Sequence, residues 1–164
     1  MKTYDYRRDL AVAYAHRWAF GRNPKYLDFQ GIGGDCTNFA SQCIFAGSGA
    51  MNYTPTLGWY YINASSRTAS WTGVEFLHNF LIKNKGQGPY AVITDISQIQ
   101  PGDIIQLRFS GNVFQHSPVV VEIGEIPTIR NVLVTAHTFD ADYRPIDSYP
   151  ISEMRCIHIL GFRK

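Results

Sequence analysis

The hydrophobic period of this chain changes halfway along, and that change limits the open folds more than any other feature. In the first half Tyr6, Leu10, Ala13, Tyr14 and Trp18 recur at helical spacing until Gly21 and Asn23-Pro24 close the segment. A glycine-rich turn, Gly31-Ile32-Gly33-Gly34, leads to Asp35, a residue type suited to cap a helix. Cys36, Phe39, Ala40, Cys43 and Ile44 then fall on one helical stripe, ended by Gly47. Thr72 and Glu75 have capping-box spacing with Trp71 and Phe76 at the flanking apolar positions, so a third helix is predicted to run to about Lys85-Gly86. In the second half Asp103 to Phe109, Pro118 to Ile123, Val132 to Thr138 and Met154 to Phe162 are β-branched and aromatic runs. Turn chemistry such as Pro101-Gly102-Asp103 and Ser110-Gly111-Asn112 separates them. Helices first and consecutive strands afterwards predict an α+β fold, with N-terminal helices packed on an antiparallel sheet. At 164 residues, with no linker, repeat or low-complexity tract, one domain over 1–164 is expected.

Several function classes find no support. The net charge of +2 and the absence of any long Lys/Arg run leave no electrostatic footprint for nucleic acid. No apolar run approaches the ~20 residues of a membrane span. Arg7-Arg8 precede only Leu10 to Ala15 before His16 and Arg17 intervene, too short a stretch for a signal peptide. The expectation is a cytoplasmic protein or a domain taken from an exported one. Three cysteines argue against a disulfide framework, and Cys36 and Cys43 on one helix would lie about 10 Å apart. The histidines (16, 78, 116, 137 and 158) show no HExxH spacing and no CxxC pair exists, so no metal or other cofactor is expected.

Chemistry concentrates at Cys36. A cysteine in the first turn of a helix meets unpaired N–H groups and the positive end of the helix dipole, which favour a thiolate and can hold an oxyanion. His116 precedes the strand Ser117 to Ile123, where its imidazole can take the thiol proton and later protonate a leaving amine. His137, near the end of the neighbouring strand, can orient His116, with Asp140 and Asp142 as rival orienting groups. His16, His78 and His158, with Cys43 and Cys156, read as structural. Trp59, Tyr60, Tyr61 and Trp71 are the aromatic candidates for a substrate cleft, against a plain core role.

Asp35-Cys36 opening a helix, Pro101-Gly102-Asp103 entering a strand and His116 before a Val-rich strand resemble the NlpC/P60 and CHAP branches of the papain-like cysteine peptidases. The string Gly34-Asp35-Cys36-Thr37-Asn38-Phe39-Ala40-Ser41-Gln42-Cys43 is more similar to the bacterial putative amidase domain family. So are Gly58-Trp59-Tyr60-Tyr61, His116-Ser117, Ala136-His137-Thr138 and the tail Ser148-Tyr149-Pro150-Ile151-Ser152-Glu153. The resemblance implies a papain-like fold, a Cys36 nucleophile, a His116 base and a third polar residue on the next strand. The NlpC/P60 pattern puts a histidine there, matching His137, whereas the acidic or Asn residue of CHAP domains is missing at 137. Likeness to papain itself implies Gln30 as a side-chain oxyanion donor. It also implies hydrolysis of amides in peptides or peptidoglycan through a thioester, with acyl transfer by the same triad and a silent peptide- or glycan-binding module as alternatives.

Overall fold

The computed structural model describes residues 1–164. A short strand β1 (Thr3–Tyr4) leads into helix α1 (Arg8–Trp18), and a long turn carries the chain to α2 (Cys36–Ser48). Eleven of the thirteen α2 residues are buried, so this helix is the pillar of the core. It ends one residue later than the sequence pattern predicts. Gly49, in the left-handed region at φ 61°, sends its N–H to Phe45 O at 2.7 Å. Gly47 instead permits contact, because the Tyr6 ring occupies the space a Cβ would need.

A two-strand ribbon, β2 (Tyr61–Asn63) and β3 (Ser66–Arg67), precedes α3 (Ala69–Thr72) and α4 (Val74–Lys83). The predicted capping box does not form. Gly73 is extended and breaks the helix between its two halves, and no side chain caps α4. Glu75 is drawn instead to Arg155 at 3.0 Å and to the Phe114 N–H at 3.3 Å. Trp71 is fully buried while Phe76 is 59% exposed, so no apolar staple joins them. A charged partner and an aromatic core site outweigh a local cap.

The remaining strands are β4 (Gly88–Thr94), β5 (Ile104–Arg108), β6 (Val119–Glu122), β7 (Leu133–Ala136), β8 (Ala141–Pro145) and β9 (Glu153–Arg163). The sequence reading missed β1, β2, β3, β4 and β8. All pairings are antiparallel. The long β9 takes β4 on one edge and β5 with β1 on the other, and the sheet continues through β6 and β7 to β8. This is the expected α+β class, with a curled antiparallel sheet and four helices.

Strand alternation sorts the sheet's side chains into two cores. Ile104, Val119, Val121, Ile157 and Ile159 face α1, α2 and α4 and join Phe39, Ile44, Trp59 and Trp71. Ile105, Leu107, Val120, Val134 and Cys156 face the other way, beneath Ile99 and Ile146 from the short 3-10 turns Ile96–Gln98 and Ile146–Ser148. No helix is long and apolar enough to cross a membrane.

Candidate active site

The site lies where the start of α2, the residues before β6 and the end of β7 meet. Gly33 and Gly34 sit at φ 86° and 99°, values that disfavour any side chain, and Gly34 also passes close to Thr138 Oγ1. That turn delivers Asp35 to the N-cap position, but its carboxylate does not cap the helix. It accepts instead from the Phe29 N–H at 2.8 Å and the Asn38 amide at 2.9 Å through one oxygen, and contacts His137 Nδ1 at 2.5 Å through the other. Of the first three N–H groups of α2, that of Thr37 meets the Cys36 sulfur, and those of Cys36 and Asn38 have no acceptor within the chain.

Cys36 is 8% exposed. Burial pushes its thiol above the ordinary value, opposed by the Thr37 hydroxyl and by the backbone amides of Ser117 and Thr37. The sequence argument from the helix start predicts a lowered value, and here desolvation outweighs it. Cys43 is fully buried and pushed up much further, again by burial. All three cysteines are free.

His116 is next to this point but turns away from it. Ser117 faces α2, bonding Thr37 Oγ1 at 3.0 Å. Alternation then sends the His116 ring to the opposite side, where it packs at 5.3 Å on Tyr149 and at 6.1 Å on Phe109. Its Nε2 faces Tyr149 Oη at 3.4 Å; Nδ1 has no partner, no hydrogen bond joins the ring to Cys36, and Cys36 is not among the residues lining the cleft beside the ring. Burial, aided by the nearby Arg144 charge, pushes the His116 imidazole down to about 4, so the ring is neutral at pH 7. A cleft of about 550 Å³ opens over His116, walled by Phe109, Phe139, Tyr149 and Pro150, with Thr138 and Arg144 at its sides. Thr138 Oγ1 also accepts the Asp35 N–H at 2.9 Å, which ties the cleft wall to the start of α2.

The other predicted residues are placed differently. His137 does not meet His116. Nδ1 contacts Asp35, Nε2 donates to Trp18 O at 2.7 Å, and the ring stacks 3.9 Å from Phe39. Asp140 is held by Arg22 at 2.9 and 3.0 Å, and Asp142 by His16 at 2.7 Å and Thr135 Oγ1 at 2.5 Å, so neither carboxylate orients His116. Gln30 is exposed, with its amide oxygen 3.5 Å from Arg22 and no bond to α2. Trp59 and Trp71 are fully buried and donate to Ser41 Oγ and Asn38 Oδ1, which makes them core pillars that brace α2 and not cleft walls. Tyr60 packs on Tyr53 at 5.6 Å, outside the His116 cleft. A second cleft of about 580 Å³, between the 52–58 loop and α4, contains none of the candidate residues. No three His, Cys, Asp or Glu side chains converge in a way that could hold a metal ion.

Tyr149, Phe109, Phe139 and Arg144 were missed as site residues. Only Tyr149 left a trace, within the tail string that carries the resemblance. Phe109 and Phe139 come from turns and Arg144 from β8, and their distance from Cys36 in sequence hides their approach in space.

A buried helix opened by a cysteine, set against a curled antiparallel sheet with a histidine-bearing cleft at its end, defines an α+β protein with a candidate active site. Residues 5–160 match the putative amidase domain family, and the chain belongs to it. Membership suggests amide hydrolysis. The chain is also similar to the uncharacterized protein YhbB of Bacillus subtilis (strain 168), 33% identical over 147 residues, which are 87% of this chain and 45% of that protein. It thus spans less than half the length of the curated relative. No solved structure matches it.

Proposed function

We propose that this single domain is a cysteine-dependent amidase of papain-like, NlpC/P60-related type, hydrolysing an amide of a peptide or of peptidoglycan. The observation that carries the reading is the cleft over His116, which opens at the end of the sheet where Ser117 and Thr138 grip the start of α2. In this reading His116 removes the Cys36 proton, the sulfur attacks the carbonyl carbon, and His116 returns the proton to the leaving amine. Water, deprotonated by the same imidazole, then releases the acid from the thioester. The resting pair is a neutral thiol beside a neutral imidazole, consistent with the direction of both pKa shifts. Cys36 and His116 are to be drawn into hydrogen-bond contact by substrate, as catalytic bonds that are loose in a free enzyme tighten in its complex. The uncapped N–H group of Cys36 serves as the oxyanion donor, a role for which Gln30 is not needed. Tyr149 replaces His137 as the group that orients His116, and His137 with Asp35 anchors the approach to the helix.

The test is incubation of the wild type and Cys36→Ala with purified peptidoglycan, followed by mass spectrometry of the released fragments. New amine and carboxylate termini that need Cys36 support hydrolysis and name the bond. Binding without new termini, unchanged in Cys36→Ala, sinks it in favour of a binding module. Acyl transfer would appear as adducts with an added amine.

A further inference from the structure

The cleft over His116 contains one arginine, and hydrolysis as written above gives it no task. Arg144 lies on β8, half-buried, and three contacts fix it. Nε donates to Ser148 Oγ at 2.8 Å, Nη2 to Ser148 O at 3.3 Å, and the guanidinium carbon sits 3.6 Å from the Tyr149 ring centre. Ser148 is held in turn, its hydroxyl donating to Pro145 O at 2.6 Å. Arg8, Arg22, Arg108 and Arg155 each have a carboxylate partner, but Arg144 has none: its partners are Ser148 and the Tyr149 side chain. A guanidinium already immobilised on one edge loses little further freedom when the other edge takes an anion.

The backbone around it is unusual as well. Thr138, Phe139 and Tyr143 stand at φ 57°, 57° and 51°, three of the chain's four non-glycine residues in the left-handed region. Such conformations cost on the order of 1 kcal/mol or more each and concentrate at ligand clamps. Here they form the turn that leaves Phe139 83% exposed on the cleft wall and sets Arg144 across from it.

We infer that the cleft selects an anionic substrate, with Arg144 receiving a carboxylate close to the scissile amide and Phe109, Phe139 and Tyr149 enclosing the apolar stem. The inference rests on Cys36 being the nucleophile that serves this cleft. It assigns the substrate class by chemistry alone: an amide flanked by a carboxylate, either a side chain or a chain terminus. Neutral amides of the same size are the poorer substrates.

A pair of small alkylating agents separates the two claims. Iodoacetate and iodoacetamide form the same kind of thioether with release of iodide and consume the same thiolate, so the ratio of their rates at Cys36 cancels the thiol pKa. The ratio, read by mass spectrometry of the Cys36 peptide, is expected to exceed that of free cysteine by about tenfold, as one good charge-assisted contact allows. Arg144→Gln should return it to the free-cysteine value, while Arg144→Lys should keep part of the excess. In the wild type, protection of Cys36 from iodoacetamide by N-acetylglutamate α-amide places the carboxylate on a side chain. Protection by N-acetylglutamine places it at a chain terminus, and protection by neither overturns the inference. A wild-type ratio equal to that of free cysteine, at a Cys36 more reactive than Cys43, overturns the anion site and spares the nucleophile. Equal sluggishness of Cys36 and Cys43 toward both reagents overturns the nucleophile, and the anion site with it.

Discussion

Two aspartates, Asp35 and Asp103, are buried to the same degree with nearly the same partners, at different places in the sheet. Each is 0% exposed. Asp35 contacts His137 Nδ1 at 2.5 Å, accepts the Phe29 N–H and lies 3.6 Å from Arg22. Asp103 contacts His158 Nδ1 at 2.7 Å, accepts the Gln100 and Ile159 N–H groups at 2.9 Å, and pairs with Arg8 at 2.7 Å. The Asp103 cluster fastens α1 and β9 to the turn that begins β5. The Asp35 cluster fastens Trp18, the glycine turn and the end of β7 to α2. Equal chemistry does equal work: an Asp–His pair here is a clamp. Of the two histidines with no acid partner, His78 on α4 meets Asn79, and His116 is the one that faces a cleft.

That contrast can be broken most directly with histidine substitutions. On the substrate released by the peptidoglycan assay, His116→Ala is expected to lower kcat/KM by about 10²–10⁴-fold, the range of a lost acid–base group. His158→Ala should leave turnover near wild type at temperatures where it remains folded. Similar losses in both would erase the distinction.

The clamps themselves predict the next largest effects. Asp35→Ala strands the buried His137 and the part-buried Arg22, Asp103→Ala the part-buried His158 and Arg8, and each should cost about 3–5 kcal/mol in denaturant unfolding, Asp35→Ala the more. They diverge in a second readout. Only Asp35→Ala should alter the alkylation rate of Cys36, because only that carboxylate holds the turn before it. Trp71→Ala belongs with them: as a core pillar it should cost about 3–5 kcal/mol and leave KM unchanged at permissive temperature, whereas a cleft wall would raise KM.

Acid titration tests the buried His116 ring directly. Its folded value of about 4 lies below the ordinary 6.5, so between those limits the unfolded chain binds the extra proton. The stability this burial contributes is whole above about pH 6.5 and is lost as pH falls toward 4, on the order of 3 kcal/mol at most. His116→Gln should flatten that part of the stability–pH curve. An unchanged slope would refute the buried neutral ring.

Much of this was legible beforehand, and what was not has physical causes. The change of hydrophobic period gave the α+β class, because amphipathic faces must find a core whatever the connections. The placement of Cys36 at a helix start was legible because a glycine turn and a helix start are local. Strand β4 was hidden because its pattern, buried only at Gly88, Pro89 and Ala91, makes sense only beside β9. His137 was misread for a related reason. Its spacing from His116 is right for neighbouring strands, but alternation puts it on the face of Ser117, where Asp35 and Trp18 O take both nitrogens. The capping box at Thr72 failed because Arg155, eighty residues away, claims Glu75.

The smallest effect belongs to Tyr149, and it tests how an unclamped histidine is held. His116 Nε2 and Tyr149 Oη are 3.4 Å apart, a long contact with no charge behind it. The Tyr149 ring has other work, stacking on Phe109 at 6.2 Å and lying under Arg144. Tyr149→Phe preserves those contacts and removes only the hydroxyl. A hydrogen bond between neutral groups is worth about 0.5–1.5 kcal/mol, so kcat/KM should fall by about two- to tenfold with little change in stability. The acid limb of the kcat/KM profile should also move, since the phenol is one of the few polar groups meeting the buried ring. A loss as large as that of His116→Ala would make Tyr149 part of the proton-transfer chemistry. No loss and no change in the profile would mean that packing alone orients His116, and that a histidine here needs neither acid nor hydroxyl to be aimed.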